Sequence, residues 1–346
     1  MQQDFVHLHL HSEFSLSDGI IRIEDLVEKS SDLSFSAVAL TDLTNLFGLI
    51  KFYRLARKQG IKPIVGSEIK VAKDLDSQSG SLVLLVINKT GYTNLTKLVS
   101  KAYVEGQVSG EPIVKLSWLE EYSEGLIALS GGINGHIGQS ILGGNEALTN
   151  SRVDYFYNLF KGNFFIEIQR LGKNNETEYN QKVIDLAMKK KVPLVATNDV
   201  RFLMPVDPDI SPSDFEAHEA RVCIQKGQAL DDPRRSKDFV ENQYLRSPEE
   251  MKELFIDLPE ALENTVKIAE KCNLDLELGE FYLPDFDVPE GQTREEHLKQ
   301  LSYEGLNKRI LQINSSVNSY PIDEDQYFAR LDYELDMICK LNFAGY

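Results

Sequence analysis

Short apolar, β-branched runs recur through the first two hundred residues, at 5–11, 37–41, 63–72, 82–87, 126–130, 164–169 and 193–197. Between most of them, residues 23–30, 46–59, 92–104 and 176–190 place apolar side chains at helical spacing. The runs predict buried strands and the stretches between them predict covering helices, so the chain reads as a repeated strand-helix α/β fold. About seven strands, with polar residues gathered where they end (His9, His11, Thr41-Asp42, Glu68, Asn198-Asp199), fit a barrel better than an open sheet. In such a barrel the chemistry gathers at the carboxyl ends of the strands.

The texture changes after Asp199. Residues 203–212 are rich in Pro and Asp, and Asp231-Asp232-Pro233-Arg234-Arg235 is a second polar break, so this part reads as irregular surface chain. Helices resume at Ser247-Pro248-Glu249-Glu250, which has a cap residue, a proline at the first helical position and an acidic residue at the third. Thr293-Arg294-Glu295-Glu296 is a further capping box, opening a helix expected through Lys308. Residues 325–341 supply another, with Phe328, Leu331, Leu335 and Ile338 in step.

Charge and cysteine content narrow the function classes. The 346 residues carry a net charge of −17, and the imbalance is uneven. Residues 1–200 hold 21 basic and 23 acidic groups, residues 201–346 hold 16 and 31, which suggests a boundary near residue 200 and disfavours broad contact with phosphate backbones. Cys223, Cys272 and Cys339 have no zinc-finger or CxxC spacing, so a reducing, cytoplasmic home is expected. No run reaches the ~18 apolar residues of a membrane span, and Met1-Gln2-Gln3-Asp4 lacks a basic leader, so neither membrane insertion nor export is expected.

The densest chemistry is at the start, where His7, His9 and His11 alternate and, on a regular strand, would share one face as candidate metal ligands. His9-Leu10-His11-Ser12, Ser17-Asp18-Gly19, Leu40-Thr41-Asp42-Leu43-Thr44-Asn45, Lys62-Pro63-Ile64-Val65-Gly66-Ser67-Glu68, Gly91-Tyr92-Thr93-Asn94-Leu95, Leu129-Ser130-Gly131-Gly132 and Ala196-Thr197-Asn198-Asp199-Val200 follow one another in a fixed order. That order resembles the N-terminal polymerase-and-histidinol-phosphatase (PHP) domain of the bacterial replicative DNA polymerase III alpha subunits. The resemblance covers essentially the whole chain. Beyond residue 270, Leu283-Pro284, Val288-Pro289-Glu290-Gly291 and residues 333–346 resemble the lead-in to the polymerase palm.

The resemblance implies a PHP-type distorted (β/α)7 barrel followed by a mainly helical start of the palm and thumb region. It implies a PHP domain over residues 1–270, with a barrel core at 1–200 and an irregular or helical extension at 201–270, and the start of the palm region over 271–346. In relatives with an intact site, histidines and carboxylates at strand ends hold divalent metals that activate water against a phosphodiester. His9, His11, Asp18, Glu68 and Asp199 stand at ligand positions of that pattern. Leu43, Ser81, Gly132 and Arg201 stand where ligands are expected. Four losses on different strands remove donors from several metals at once. The expectation is a vestigial pocket without catalytic residues and with no metal, leaving room for at most weak binding at His9, His11 and Glu68. Arg201, permanently protonated, should supply the positive charge a metal once gave and contact Asp199, Glu68 or Asp18.

The leading function is therefore the N-terminal part of a replicative polymerase whose idle PHP domain is a scaffold for the proofreading 3′–5′ exonuclease (epsilon) subunit. Other replicase subunits and DNA would be reached through parts outside this chain. Polymerase activity with Mg2+ would belong to the full-length protein, while this piece should need no cofactor and have no activity of its own. The alternative is an active metal-dependent phosphoesterase or 3′–5′ exonuclease, which needs the ligands lost at Leu43, Ser81, Gly132 and Arg201. A direct nucleic-acid binder is disfavoured, because no basic-aromatic stripe appears. Asp285-Phe286-Asp287 imitates a palm aspartate pair but leads into the turn-forming Pro289-Glu290-Gly291. Gly131-Gly132-Ile133-Asn134-Gly135 lacks the Lys-Ser/Thr of a phosphate loop, and His136 after it reads as a surface or pocket-rim histidine.

Overall fold

The computed structural model describes residues 5–210, 212–280, 286–315 and 322–346. Its elements run α1 (Ile23–Asp32), β1 (Ala37–Leu40), α2 (Leu49–Lys58), β2 (Lys62–Ala72), β3 (Gly80–Val86), α3 (Lys89–Glu105), β4 (Gln107–Val108), β5 (Glu111–Lys115), α4 (Leu116–Glu121), β6 (Leu126–Leu129), α5 (His136–Leu142), α6 (Glu146–Leu159), β7 (Phe164–Ile168), α7 (Glu176–Lys190), β8 (Leu194–Ala196), α8 (Asp214–Lys226), α9 (Pro248–Leu254), α10 (Pro259–Lys271), α11 (Arg294–Ser315) and α12 (Glu324–Lys340). They form two compact units, Met1–Asp275 and Leu276–Tyr346.

In the first unit, β1 pairs with β2, and β2, β3, β6, β7 and β8 follow in order. The extended segment 5–11 closes the ring. His7 and Leu10 carbonyls accept from Ala39 and Thr41 on one side, while Val200 exchanges bonds with His9 and His11 on the other. The expected α/β barrel is present, with one strand reversed. Only residues 73–79 separate β2 from β3, too short for a crossover helix, so β3 runs antiparallel to β2 and β6. A hairpin, β4–β5, turns at Ser109 and Gly110, both at positive φ, and adds to the far half of β2.

Segment 5–11 is not a regular strand. Its acceptors at His7 and Leu10 are three residues apart, while the donors they serve, Ala39 and Thr41, are two apart. One extra residue therefore enters the pairing, as in a bulge, and flips the side-chain alternation. Val6 and Leu8 face the barrel core, and after the bulge His9 and His11 face the same interior higher up. His7 is left elsewhere. It packs edge-on to Phe5 and Phe35, with Nε2 at 2.8 Å from the Arg246 carbonyl, and burial pushes its pKa down to about 4. The expected single face of three histidines is thus corrected to a pair.

The core joins Val6, Leu8, Ala39, Ile64, Val83, Leu85, Ile127, Leu129 and Val195 with Ile268 and Ala269 of α10 and with Cys272, which caps its end. Helix α10 is bound into the barrel by hydrogen bonding as well, since Thr265 Oγ1 accepts from the Val6 amide at 2.9 Å. Helix α8 lies where irregular chain was expected. Its start, Ser213-Asp214-Phe215-Glu216, is a capping box with both reciprocal bonds made. The box expected at Ser247 is also formed.

In the second unit α11 and α12 form a helical hairpin, with Tyr303 stacked on Phe328 and Ile310 and Leu335 buried. Thr293 Oγ1 accepts from the Glu296 amide at 3.2 Å while Glu296 accepts from the Thr293 amide at 2.9 Å, the box expected there. Leu283, Pro284 and Asp285 lie outside the described residues, and Asp287 is in irregular chain.

Because Ile268 is fully buried in the barrel core, Ile268→Ala should destabilise the first unit by about 2–5 kcal/mol in urea unfolding. A variant as stable as the parent would mean that α10 is not part of that core.

Candidate functional site

The polar residues expected at strand ends converge on one buried cluster. Glu68 lies in mid-β2, opposite Val83. Asp18 follows a single 3-10 turn, Glu13–Ser15, capped by Ser12. Asp199 follows β8 with φ +43°, a conformation rarely taken by a residue with a side chain. Gln243 supports that conformation, with Nε2 donating to Asp199 Oδ2 at 2.8 Å, while the Gln243 carbonyl accepts from the Arg201 amide at 2.8 Å.

Arg201 lies at the centre, its side chain 5% exposed. Its Nε donates to Asp199 Oδ1 at 2.8 Å, Nη1 reaches Asp18 Oδ2 at 2.5 Å, and Nη2 lies 3.3 Å from Glu68 Oε2. Nη1 also abuts His11 Nδ1. All three expected carboxylate contacts are made. The Phe239 ring covers the outer face of the guanidinium, 5.5 Å from centroid to Cζ. Lys173 Nζ adds a second cation, 3.3 Å from Asp199 Oδ2.

His9 and His11 complete the network. His9 Nδ1 lies 2.7 Å from Glu167 Oε1 and Nε2 lies 3.2 Å from Glu68 Oε2, so both ring nitrogens face carboxylates and the imidazolium satisfies both. Burial pushes His9 down, but the charges of Glu167 and Asp199 and the bonds to Glu167 and Glu68 outweigh it and raise its pKa to about 10. His11 is also raised, against burial and Arg201, by Asp18 and Glu68. Burial would raise Asp18, Glu68 and Asp199, yet all three are held below the usual carboxylate range. Arg201 is the foremost opposing charge for Asp18 and Asp199, and His11 and His9 for Glu68. His9, His11 and Glu68 each offer one donor atom within 4.8 Å of the others, a spacing able to hold a metal ion.

Of the substituted positions, Leu43 and Arg201 line a cleft of about 860 Å³ together with Asp18, Glu68 and Asp199. The Leu43 amide donates to Ser15 Oγ at 3.0 Å. Ser81 Oγ accepts from Lys70 Nζ at 2.9 Å. Gly132 has φ +56°, and a Cβ there would touch the Gln169 side chain at 3.4 Å. Its neighbour Gly131, φ +76°, could carry no side chain at all, since a Cβ would stand 2.2 Å from the Ser81 carbonyl.

Sequence reasoning missed Glu167, Lys173, Lys70 and Gln243, and placed Asp42 at a strand end without a role. Glu167 is fully buried, receiving the Gly131 amide at 3.1 Å besides His9. A lone carboxylate inside the apolar run Phe164-Phe165-Ile166-Glu167-Ile168 was the available signal. Asp42 accepts from the Ser12 amide at 2.6 Å and from Ser12 Oγ at 2.9 Å, and burial raises it to about 6. His136 is corrected from rim to interior. Its Nε2 donates to the Val71 carbonyl at 2.8 Å and its ring stacks on Phe156.

Residues 7–171 match the PHP domain family. The chain is 44% identical over 349 residues to the DNA polymerase III subunit alpha of Pseudomonas fluorescens, an alignment taking in 100% of this chain and 29% of that protein. Against the same subunit of Escherichia coli strain K12 it is 44% identical over 343 residues, 99% of this chain and 29% of that protein. The chain belongs to the DNA polymerase III alpha-subunit family. It spans about three-tenths of the length of these alpha-subunit relatives. Its PHP domain contributes the pocket residues from His9 to Glu167, whereas Lys173, Asp199, Arg201 and Gln243 come from beyond the matched range. Among the described residues no helix is long and apolar enough to cross a membrane.

Removing Arg201 leaves the buried carboxylates of Glu68 and Asp199 and the half-buried one of Asp18 facing one another. Arg201→Ala should cost about 3–5 kcal/mol in chemical denaturation, because breaking one side of a buried pair strands charge. Unchanged stability would mean the network is not held by the guanidinium.

The histidine shift sets a second expectation. A group raised in the folded state contributes stability below its unfolded value, 6.5 for His9, and loses it as pH rises through about 10. The lowered carboxylates Asp18, Glu68 and Asp199 contribute above their ordinary values and lose this as pH falls through the lower folded values. Asp42, raised from 3.8 to about 6, acts in the opposite sense to them, losing its contribution as pH rises through that window. Denaturant melts between pH 6.5 and 10 should therefore show stability falling in the parent and a flatter profile in His9→Gln; parallel profiles would remove His9 as the cause.

Proposed function

We propose that this chain is the N-terminal part of a replicative DNA polymerase alpha subunit whose PHP domain has exchanged metal chemistry for an ion-pair network and acts as a scaffold. The observation that carries the reading is Arg201, buried among Asp18, Glu68 and Asp199, the carboxylates that metal-dependent PHP chemistry would need free. A guanidinium in that position competes with a divalent cation for the same oxygens, and its charge cannot be titrated away. The residues do not suit a cluster of metals.

On this reading residues 1–270 form the PHP region, with its barrel core at 1–200, and residues 271–346 begin the polymerase palm. DNA-directed DNA synthesis with Mg2+, and contacts with DNA and other replicase subunits, belong to the longer protein. The PHP region holds the proofreading 3′–5′ exonuclease subunit near the primer terminus, where tethering raises its local concentration. An idle barrel retained with an intact core is what a binding role requires.

A second reading, a residual single-metal phosphoesterase, is favoured by the His9, His11 and Glu68 donors. It predicts manganese-dependent phosphodiester hydrolysis. The scaffold reading predicts none, and none in Arg201→His either, since Leu43, Ser81 and Gly132 still lack donors.

The test is calorimetric titration of the 346-residue chain with the exonuclease subunit, alongside primer-extension and phosphodiesterase assays. Saturable binding with both activities absent is expected. Hydrolysis above background, or no binding where a full-length alpha subunit binds, would overturn the scaffold role.

A further inference from the structure

The last residues of the first unit are tied down by side chains from distant parts of the chain. Helix α2 buries Leu49, Phe52, Tyr53 and Ala56, and one turn after Tyr53 the Arg57 guanidinium lies over its ring, 5.4 Å from centroid to Cζ. Arg57 Nη1 donates to the Tyr53 hydroxyl oxygen and to Asp275 Oδ1, both at 2.7 Å, and the Tyr53 hydroxyl donates to the same carboxylate at 3.0 Å. Lys62, at the start of β2, holds the chain just before this point. Its Nζ donates to the Ala269 carbonyl at 2.7 Å, in the last turn of α10 where carbonyls lack helical partners, and to Asn273 Oδ1 at 2.9 Å. The Asn273 amide donates to the Ile87 carbonyl at 2.7 Å, and Cys272 is buried.

Residues 272–275 belong to no helix or strand, so these bonds are what hold them. The inner half, Cys272 and Asn273, is held by burial and by a backbone bond. The outer half depends on Arg57 and the Tyr53 hydroxyl, and the side chains of Arg57 and Asp275 are 58% and 83% exposed, so water and salt weaken their pairing. The second unit begins at the next residue, Leu276, and Gly279 follows at φ +98°, a conformation that glycine takes freely. We infer that residues 272–275 are a latch. Arg57 and Tyr53 hold this strap shut on the barrel and fix Asp275 as the point where the chain leaves the first unit, and releasing the Asp275 carboxylate frees the strap while the barrel stays folded. The latch stands whether or not the pocket takes a metal.

Hydrogen exchange over peptides spanning residues 272–275, read by mass spectrometry in the 346-residue chain, tests it. The variants are Arg57→Ala, Asp275→Ala and the two together, with thermal melts alongside. Each single change should speed exchange there roughly two- to fivefold, while peptides from β2 and β6 exchange as in the parent and the melts coincide. The double variant should match Asp275→Ala, because Arg57 reaches the strap through that carboxylate. High salt should speed exchange in the parent and leave the double variant unchanged. Parental exchange in Asp275→Ala would overturn the latch. Melts that fall in step with the exchange would overturn it too, since the strap would then open only with the barrel.

Discussion

Everything around the pocket depends on one buried cation. Arg201 draws together carboxylates from three parts of the chain, Asp18 after the first turn, Glu68 in β2 and Asp199 after β8, which without it would repel one another. Burial alone would push all three towards protonation. A buried ion pair adds little net stability over a well-packed apolar substitute, but it makes the chain intolerant of losing one member. It also fixes where each partner must be. The left-handed backbone at Asp199 and the Gln243 bonds that hold it are understandable as consequences of that demand.

The second constraint is the extra residue in the N-terminal segment. Without it, regular alternation would turn His9 and His11 to the face opposite Val6 and Leu8, and Glu68 and Glu167 would lose their partners. With it, one short segment plugs the core below and supplies both imidazoles above. The same segment closes the ring between β1 and the chain after β8, so barrel closure and pocket assembly are one event.

Much of this could be read in the sequence, for physical reasons. Strand and helix runs with clear periodicity, such as those that became β2, β6, β7 and α7, were legible because burial imposes the period. Arg201's contacts were legible because the family resemblance put it among carboxylates at ligand positions, where a guanidinium has few other places to go. The reversed β3 could be read only from the shortness of residues 73–79, and α8 only from its capping box, since Pro and Asp on its upstream side dominate the local composition. The histidine face was misjudged because a bulge leaves no composition signal, only a register. Glu167 was hidden inside an apolar strand, where its role appears only once His9 is placed beside it.

On the reading proposed above, a guanidinium holds the place of a metal. Thermal melting of the chain at neutral pH with increasing manganese tests it most directly. Metal bound to the folded state at a hundred times its dissociation constant would add ~2.7 kcal/mol and raise the midpoint accordingly. The expected result is a midpoint that does not move across the titration, in the parent chain and at millimolar metal. A saturable rise, abolished by His9→Gln or Glu68→Gln, would show that the pocket takes a metal with Arg201 in place and would contradict it.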